Sequence, residues 1–471
     1  MGDALAAGLV EDDGEVHAGG WSRVGEPRVS IAAGFPAGGR VGAIREETRV
    51  LGSGQQAASV QMSDERSTGR GAPVVAGTPG VRAFRERAET RHDRQARIAW
   101  WDQERLRRAR IVVAGAGALG NETLKLLALL GVGSILIVDF DVVSPSNLAR
   151  TVLFRPHDVG ASKALLAAER TREIDPALRV AAIDGDIGRD LGLGALRRAD
   201  LALAGLDSVN ARWALNRRCR LAGVPWLDGG IAAVEGQVTR YDPAVGPCYE
   251  CTFTPGMARR FTARHSCTGL VRRVPERAVP TTAIGASLIA ALQAHEALCL
   301  LHDRSEGLRP GQRLTYLLDA HRAFVDDLPA DPDCAAHVPP AMPSRTLPDD
   351  PRTLTPAALV AAVLPDRSAS VHLGFDLVEG FACPACGVFD PVCRPAALVF
   401  EDAARCRGCG AEREVRRAPA IGADSPAWER PLADLGVADC EILWVADEIG
   451  GGMWVEIGGR DPWPNADGDD T

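Results

Sequence analysis

The stretch from Arg110 to Arg150, RIVVAGAGALGNETLKLLALLGVGSILIVDFDVVSPSNLAR, narrows the folds open to this chain more than any other. Ile111 to Ala114 is a short run of β-branched and small apolar residues, the composition of a strand buried on both faces. It leads directly into Gly115-Ala116-Gly117-Ala118-Leu119-Gly120, and the apolar segment from Leu119 to Leu130 then reads as a helix. A second strand, Ser134 to Val138, ends in Asp139, 19 positions after Gly120. Strand, glycine turn, helix and strand in this order make a nucleotide-binding βαβ unit. Glycine permits the tight turn and lets the backbone approach a phosphate, while the start of the helix offers N–H donors to the anion. Asp139 is placed to accept hydrogen bonds from a ribose hydroxyl. The expected fold class is α/β, with a Rossmann-like, doubly wound and mostly parallel sheet.

The glycine turn alone also suits an NAD-dependent oxidoreductase. The continuation Asp139-Phe140-Asp141-Val142-Val143-Ser144-Pro145-Ser146-Asn147-Leu148-Ala149-Arg150 resembles the DxDxVxxSNLxR signature of the ThiF/MoeB/HesA family, relatives of the ubiquitin-activating enzymes. The resemblance runs from roughly Arg91 to His337, and Arg91-His92-Asp93-Arg94-Gln95 is similar to the family's RYxRQ, with His92 in place of tyrosine. It implies ATP as the nucleotide, and adenylation of the C-terminal carboxylate of a ubiquitin-fold protein ending in Gly-Gly. It also implies roles for single residues. Gly115, Gly117, Gly120, Asp139 and Asp141 hold the nucleotide, and Asn147, Arg150 and Lys163 hold its phosphates. Asp207 positions Mg²⁺, although a cap on the following helix is the structural alternative. Arg94 reaches the partner's triphosphate in homodimeric relatives, its alternative being an ordinary surface charge. Thr151 departs from the family's glutamine, with an effect expected on local packing or on triphosphate contacts. The other substrate readings are a peptide or another carboxylate, and the other functional class is a nucleotide-binding scaffold without turnover.

Six of the twelve cysteines form three CxxC pairs, a pattern that in a cytosolic chain points to zinc. Cys383, Cys386, Cys406 and Cys409, each pair followed by glycine, have the spacing of a zinc ribbon. Cys248 and Cys251 are half of a tetrahedral site. The resemblance implies its completion at Cys334 and His337, with His265 and Cys267 as competing ligands. The resemblance also places Cys267 where an acyl group is accepted as a thioester, and an inert buried thiol is the alternative. Cys219 and Cys299 read as packing residues.

The net charge of −9 argues against nucleic acid as a partner. The apolar run Thr281 to Leu301 is interrupted by Gln293, His295 and Glu296, so a buried amphipathic helix is expected and no membrane span. The N-terminal residues lack a basic signal region, and a cytoplasmic protein is expected. All but two of the 53 basic residues are arginine, which draws attention to Lys125 and Lys163. The expected organisation is a disordered leader at 1–80 and an adenylyltransferase domain at 81–340. A linker with a short helix at 341–375, a zinc ribbon at 376–415 and a β-rich extension at 416–471 follow, the extension fraying from Asp461.

Overall fold

The computed structural model describes residues 90–254, 270, 280–365, 368–448 and 451–464. The expected leader, His265 and Cys267 lie outside the described residues. Ahead of the sheet lie a 3₁₀ turn at Gln95–Arg97 and α1 (Gln103–Arg108), whose first turn is capped by Asp102 accepting from the Arg105 N–H.

An eight-stranded sheet follows. Strands β1 (Arg110–Ala114), β2 (Ser134–Asp139), β3 (Arg179–Asp184), β4 (Leu201–Ala204) and β5 (Trp226–Ile231) run parallel in the order β3-β2-β1-β4-β5. Strands β6 (Glu235–Tyr241), β7 (Gln312–Leu317) and β8 (Arg322–Asp327) extend it antiparallel. Because successive side chains alternate faces, β1 is buried twice over. Ile111 and Val113 pack with Leu124, Leu127 and Ala164, while Val112 and Ala114 pack with Leu193, Leu215 and Cys219. The first group lies under α2 (Ala118–Leu130) and α3 (Lys163–Ile174), the second under α4 (Leu193–Arg197) and α5 (Val209–Ala222). Gly131 and Gly223 end α2 and α5 in the left-handed conformation that glycine adopts without steric cost.

Helix α6 (Ala283–Leu301) is long and apolar enough to cross a membrane by composition, but it packs against α2, β5 and β6. Gln293 and Glu296 lie on its buried side, while His295 is exposed. The Gln293 amide donates to the carbonyls of Ala204 (2.9 Å) and Leu227 (3.0 Å) and accepts from the Thr123 hydroxyl (3.1 Å). One side chain thus ties α2 to the ends of β4 and β5 and satisfies groups that would be costly to bury unpaired.

Beyond residue 340 a second sheet takes strands from all three expected segments. It contains β9 (Arg345–Leu347), β10 (Ala369–Ala382), β11 (Phe389–Pro395), β12 (Glu414–Ile421), β13 (Ile442–Asp447) and β14 (Gly452–Ile457), in the order β11-β10-β13-β14-β9 with β12 also on β10. The proline-rich stretch supplies edge strand β9, parallel to β14, and α7 (Pro356–Val363) covers one face with Leu359 and Val363. The expected fraying from Asp461 does not hold for residues 461–464. Trp463 is 5% exposed, and its indole N–H donates to the Ala195 carbonyl at 2.8 Å. The module is docked on α4 and α5 by further polar contacts: Gly194 N–H to the Cys440 carbonyl (2.8 Å), Leu193 N–H to Glu441 (3.0 Å), and Arg218 to Glu441 (2.8 Å). The approach is close, since a Cβ on Gly192 would lie 2.0 Å from the Asp439 carbonyl oxygen.

Candidate active site and cysteine clusters

Strand order reverses at β1, whose neighbours β2 and β4 are reached by connections leading in opposite directions. The crevice at the carboxyl ends of β1 and β4 is therefore where a doubly wound sheet binds ligands. Gly115, with φ +92°, leaves β1 so close to Gly205 that a Cβ would stand 2.8 Å from the Gly205 carbonyl oxygen. A Cβ on Gly120 would stand 1.9 Å from the Gly115 oxygen, so the turn closes only with glycine at both places. Gly117 differs, because nothing lies within 4 Å of its Cβ position. It faces open space at the start of α2, where backbone donors converge.

Asp139 braces this turn. Its Oδ2 accepts the Ala116 N–H at 2.7 Å and its Oδ1 accepts the Asp141 N–H at 2.8 Å. Burial lifts its pKa above the usual carboxylate value, against the pull of these two N–H groups. Asp141 is exposed and meets Lys163 Nζ at 2.8 Å, while the Lys163 backbone N–H donates to the Asp141 carbonyl at 2.9 Å. Lys163 is only 8% exposed, so the pair fixes one cation beside the glycine turn. Lys125, the other lysine, pairs with Glu122 on α2 instead.

Asn147 Oδ1 accepts the Ser144 N–H at 2.9 Å, and Arg150 Nη1 donates to the Ser146 carbonyl at 2.9 Å. The Thr151 hydroxyl donates to the Asn147 carbonyl at 2.9 Å. Asn121 was not signalled by the motif. It is fully buried, donates to the Ala116 carbonyl (2.6 Å) and accepts the Leu153 N–H (2.9 Å), joining the glycine turn to the loop that carries Asn147 and Arg150.

Asp207 is exposed just past β4. The cap on α5 is Ser208, whose hydroxyl accepts the Ala211 N–H at 3.1 Å, so Asp207 does not serve that alternative role. Behind it lies a buried ion pair absent from the sequence reading. Arg212 Nε meets both Asp228 oxygens, at 2.8 and 3.1 Å, and Nη2 donates to the Gly229 carbonyl at 3.2 Å. Burial opposes the guanidinium charge, and Asp228 outweighs that cost, so Arg212 is held above its ordinary value. Arg94 sits elsewhere. It is exposed at the 3₁₀ turn before α1, whose Gln95 reaches the Leu129 carbonyl at 3.5 Å. That is the far end of α2, about 20 Å from the glycine turn at 1.5 Å per residue.

The cysteine pairs come together as two clusters. In the first, Cys248 Sγ lies 3.8 Å from Cys251 Sγ and 3.7 Å from Cys334 Sγ, and Cys251 Sγ lies 3.2 Å from His337 Nε2. In the second, Cys383 and Cys409 are 3.5 Å apart and Cys386 and Cys406 are 3.8 Å apart. These separations are too long for disulfides. Zn–S bonds near 2.3 Å give a tetrahedral edge of about 3.8 Å, so both donor sets fit zinc. Gly387 and Gly410 have φ of +71° and +74°, and each donates its N–H to the carbonyl of the first cysteine of its knuckle. Backbone N–H groups of Cys409 and Gly408 pull the Cys406 thiol down to about 6, which favours the metal-binding thiolate. Buried Cys219 and Cys299 have thiols raised by desolvation, in keeping with packing roles.

Comparison with known proteins places this geometry. Residues 92–336 match the ThiF family. The chain is 34% identical over 234 residues to the SAMP-activating enzyme E1 of Haloferax volcanii, covering 49% of this chain and 81% of that protein. It is 39% identical over 156 residues to the sulfur carrier protein adenylyltransferase of Thermus thermophilus, covering 32% and 58% respectively. It is 39% identical over 151 residues to the mouse adenylyltransferase and sulfurtransferase MOCS3, covering 32% of this chain and 33% of that one. With its glycine turn, its Asp139 brace and a match across more than half its length, the chain belongs to the ThiF family.

Proposed function

We propose that this protein is an ATP-dependent adenylyltransferase that activates the C-terminal carboxylate of a ubiquitin-fold protein ending in Gly-Gly. The observation that carries the reading is the convergence of Gly117, Asp139, Lys163 and Asp207 on one sheet edge, at the switch point. The named relatives are activating enzymes and adenylyltransferases, one of them of a sulfur carrier protein.

The carboxylate attacks the α-phosphate, forming an acyl–phosphate bond as the bond to pyrophosphate breaks. Gly115, Gly117 and Gly120 admit the phosphates to the start of α2, and Asp139 and Asp141 orient the ribose side. Lys163, Arg150 and Asn147 stabilise the charge that builds on pyrophosphate as it leaves. Mg²⁺, held through Asp207, would neutralise the phosphate oxygens when bound. Arg94, remote from its own glycine turn, serves the partner's site in a homodimer. Cys267 then accepts the acyl group from AMP as a thioester. The reaction takes place in the cytoplasm, where thiols stay reduced.

The test is pyrophosphate exchange into ATP. It should depend on a ubiquitin-fold protein and vanish when its two terminal glycines are removed. Exchange supported by a short peptide alone would move the substrate to another class.

Each cysteine cluster holds one Zn²⁺ in this reading. Elemental analysis should find two zinc ions per chain, matching the two clusters, and Cys386→Ser should remove one of them. An unchanged zinc content in that variant would strip the ribbon of its metal role.

A further inference from the structure

The opposite edge of the large sheet holds a cavity of about 350 Å³, within the usual span of small-molecule sites. Its walls include Arg91, His92, Arg107, Gly131, Asp175 and Arg179. Gly131 to Gly133 lead into β2, and Arg179 opens β3, so the cavity is at the amino ends of strands whose carboxyl ends carry Asp139 and the glycine turn. Strands of this length separate the two edges by about 17–20 Å.

Three guanidinium groups line the cavity against one carboxylate. Arg91 Nη2 donates to the Ile174 carbonyl at 2.7 Å, and its Nε lies 3.7 Å from Asp175. Arg179 Nε donates to Ser134 Oγ at 3.0 Å, and Arg107 Nη1 meets Glu104 at 2.6 Å. Each guanidinium is thus steadied through part of its donor set, and five donors per arginine exceed what these contacts use. Asp175 is engaged, with Oδ1 accepting the Ala177 N–H at 3.1 Å. His92 is 8% exposed, and its Nδ1 is buried with no hydrogen-bond partner. That nitrogen is sealed from water, so His92 backs the cavity wall and the donors facing the space are the three guanidinium groups. Burial holds this imidazole below its ordinary value; Asp175 works the other way, and Arg107 and Arg91 add to the depression. Gly131 keeps the space, since a Cβ there would come within 2.6 Å of the His92 ring.

We propose that this cavity is a second ligand site, remote from the adenylating edge of the same chain, that takes a small phosphate-bearing molecule. Three forked cations around one volume suit a dianion with several oxygens better than a single carboxylate. The site owes nothing to the adenylation chemistry and stands whether or not that reading survives.

Phenylglyoxal labelling of arginines, read peptide by peptide by mass spectrometry, tests it without ATP. Inorganic phosphate should slow labelling of Arg91 and Arg179 by at least about fivefold, while chloride at equal ionic strength should not, because direct oxyanion contacts and not screening protect them. Arg179→Met, which removes one of the three cations, should weaken the protection of Arg91. AMP protecting at lower concentration than phosphate would assign a nucleotide monophosphate; equal protection would assign the free anion, and both support the site. Labelling rates unaffected by phosphate, or slowed equally by chloride, would overturn it.

Discussion

Asp207→Ala is expected to cut partner-dependent pyrophosphate exchange by about 10²–10³-fold, the usual cost of losing one charge-organising group at a transition state. Its urea unfolding midpoint should match the wild type. The split follows from position. Asp207 is exposed at the end of β4, and the capping bond that secures α5 comes from Ser208. Removing the Asp207 carboxylate therefore leaves the helix start intact. Undiminished exchange would remove Asp207 from the mechanism, and a lowered midpoint would reveal a structural role.

Asp228→Ala should have the opposite signature. Its carboxylate is 2% exposed and accounts for the charge of Arg212, so the variant leaves a mostly buried guanidinium without its partner. Such a loss costs roughly 3–5 kcal/mol. Removing both charges together, as Arg212→Met with Asp228→Leu, should cost clearly less, because no isolated charge remains buried. Urea denaturation of the three proteins measures both effects. Equal losses in the single and double variants would mean that the pair matters through shape and not through charge.

The first half of the chain is legible because its constraints are local. Alternating burial in Ile111 to Ala114, the glycine spacing and Asp139 all act within thirty residues, and the structure places them around one turn. What stayed hidden depends on distant partners. Gln293 looked like an interruption of an apolar helix, and its meaning emerges only with the carbonyls of Ala204 and Leu227. A lone amide among apolar residues was a signal, but one without an address. Asp228 sits in an unremarkable WLDGG, and nothing nearby announces Arg212 as its partner. The second sheet was hardest. The pairing of Arg345 with Val455 joins a three-residue strand in a proline-rich stretch to a strand near the end of the described chain. Periodicity cannot find a partner that far away, whereas the cysteine spacing could announce the knuckles because each is complete within four residues.

The docking of the C-terminal module on α4 bears on how such a protein can be taken apart. Cys440, Ile442 and Trp463 belong to the same apolar core as Val112, Leu136 and Trp226, so the nucleotide-binding sheet is roofed in part by residues encoded far downstream. The proline-rich stretch looks like a seam, but the protein has no clean perforation there. A cut at it would strip the roof and expose apolar surface on the piece that carries the glycine turn. The two halves are not interchangeable cassettes, and recombination that swaps one must bring matching surfaces for α4 and for Trp463 along with it.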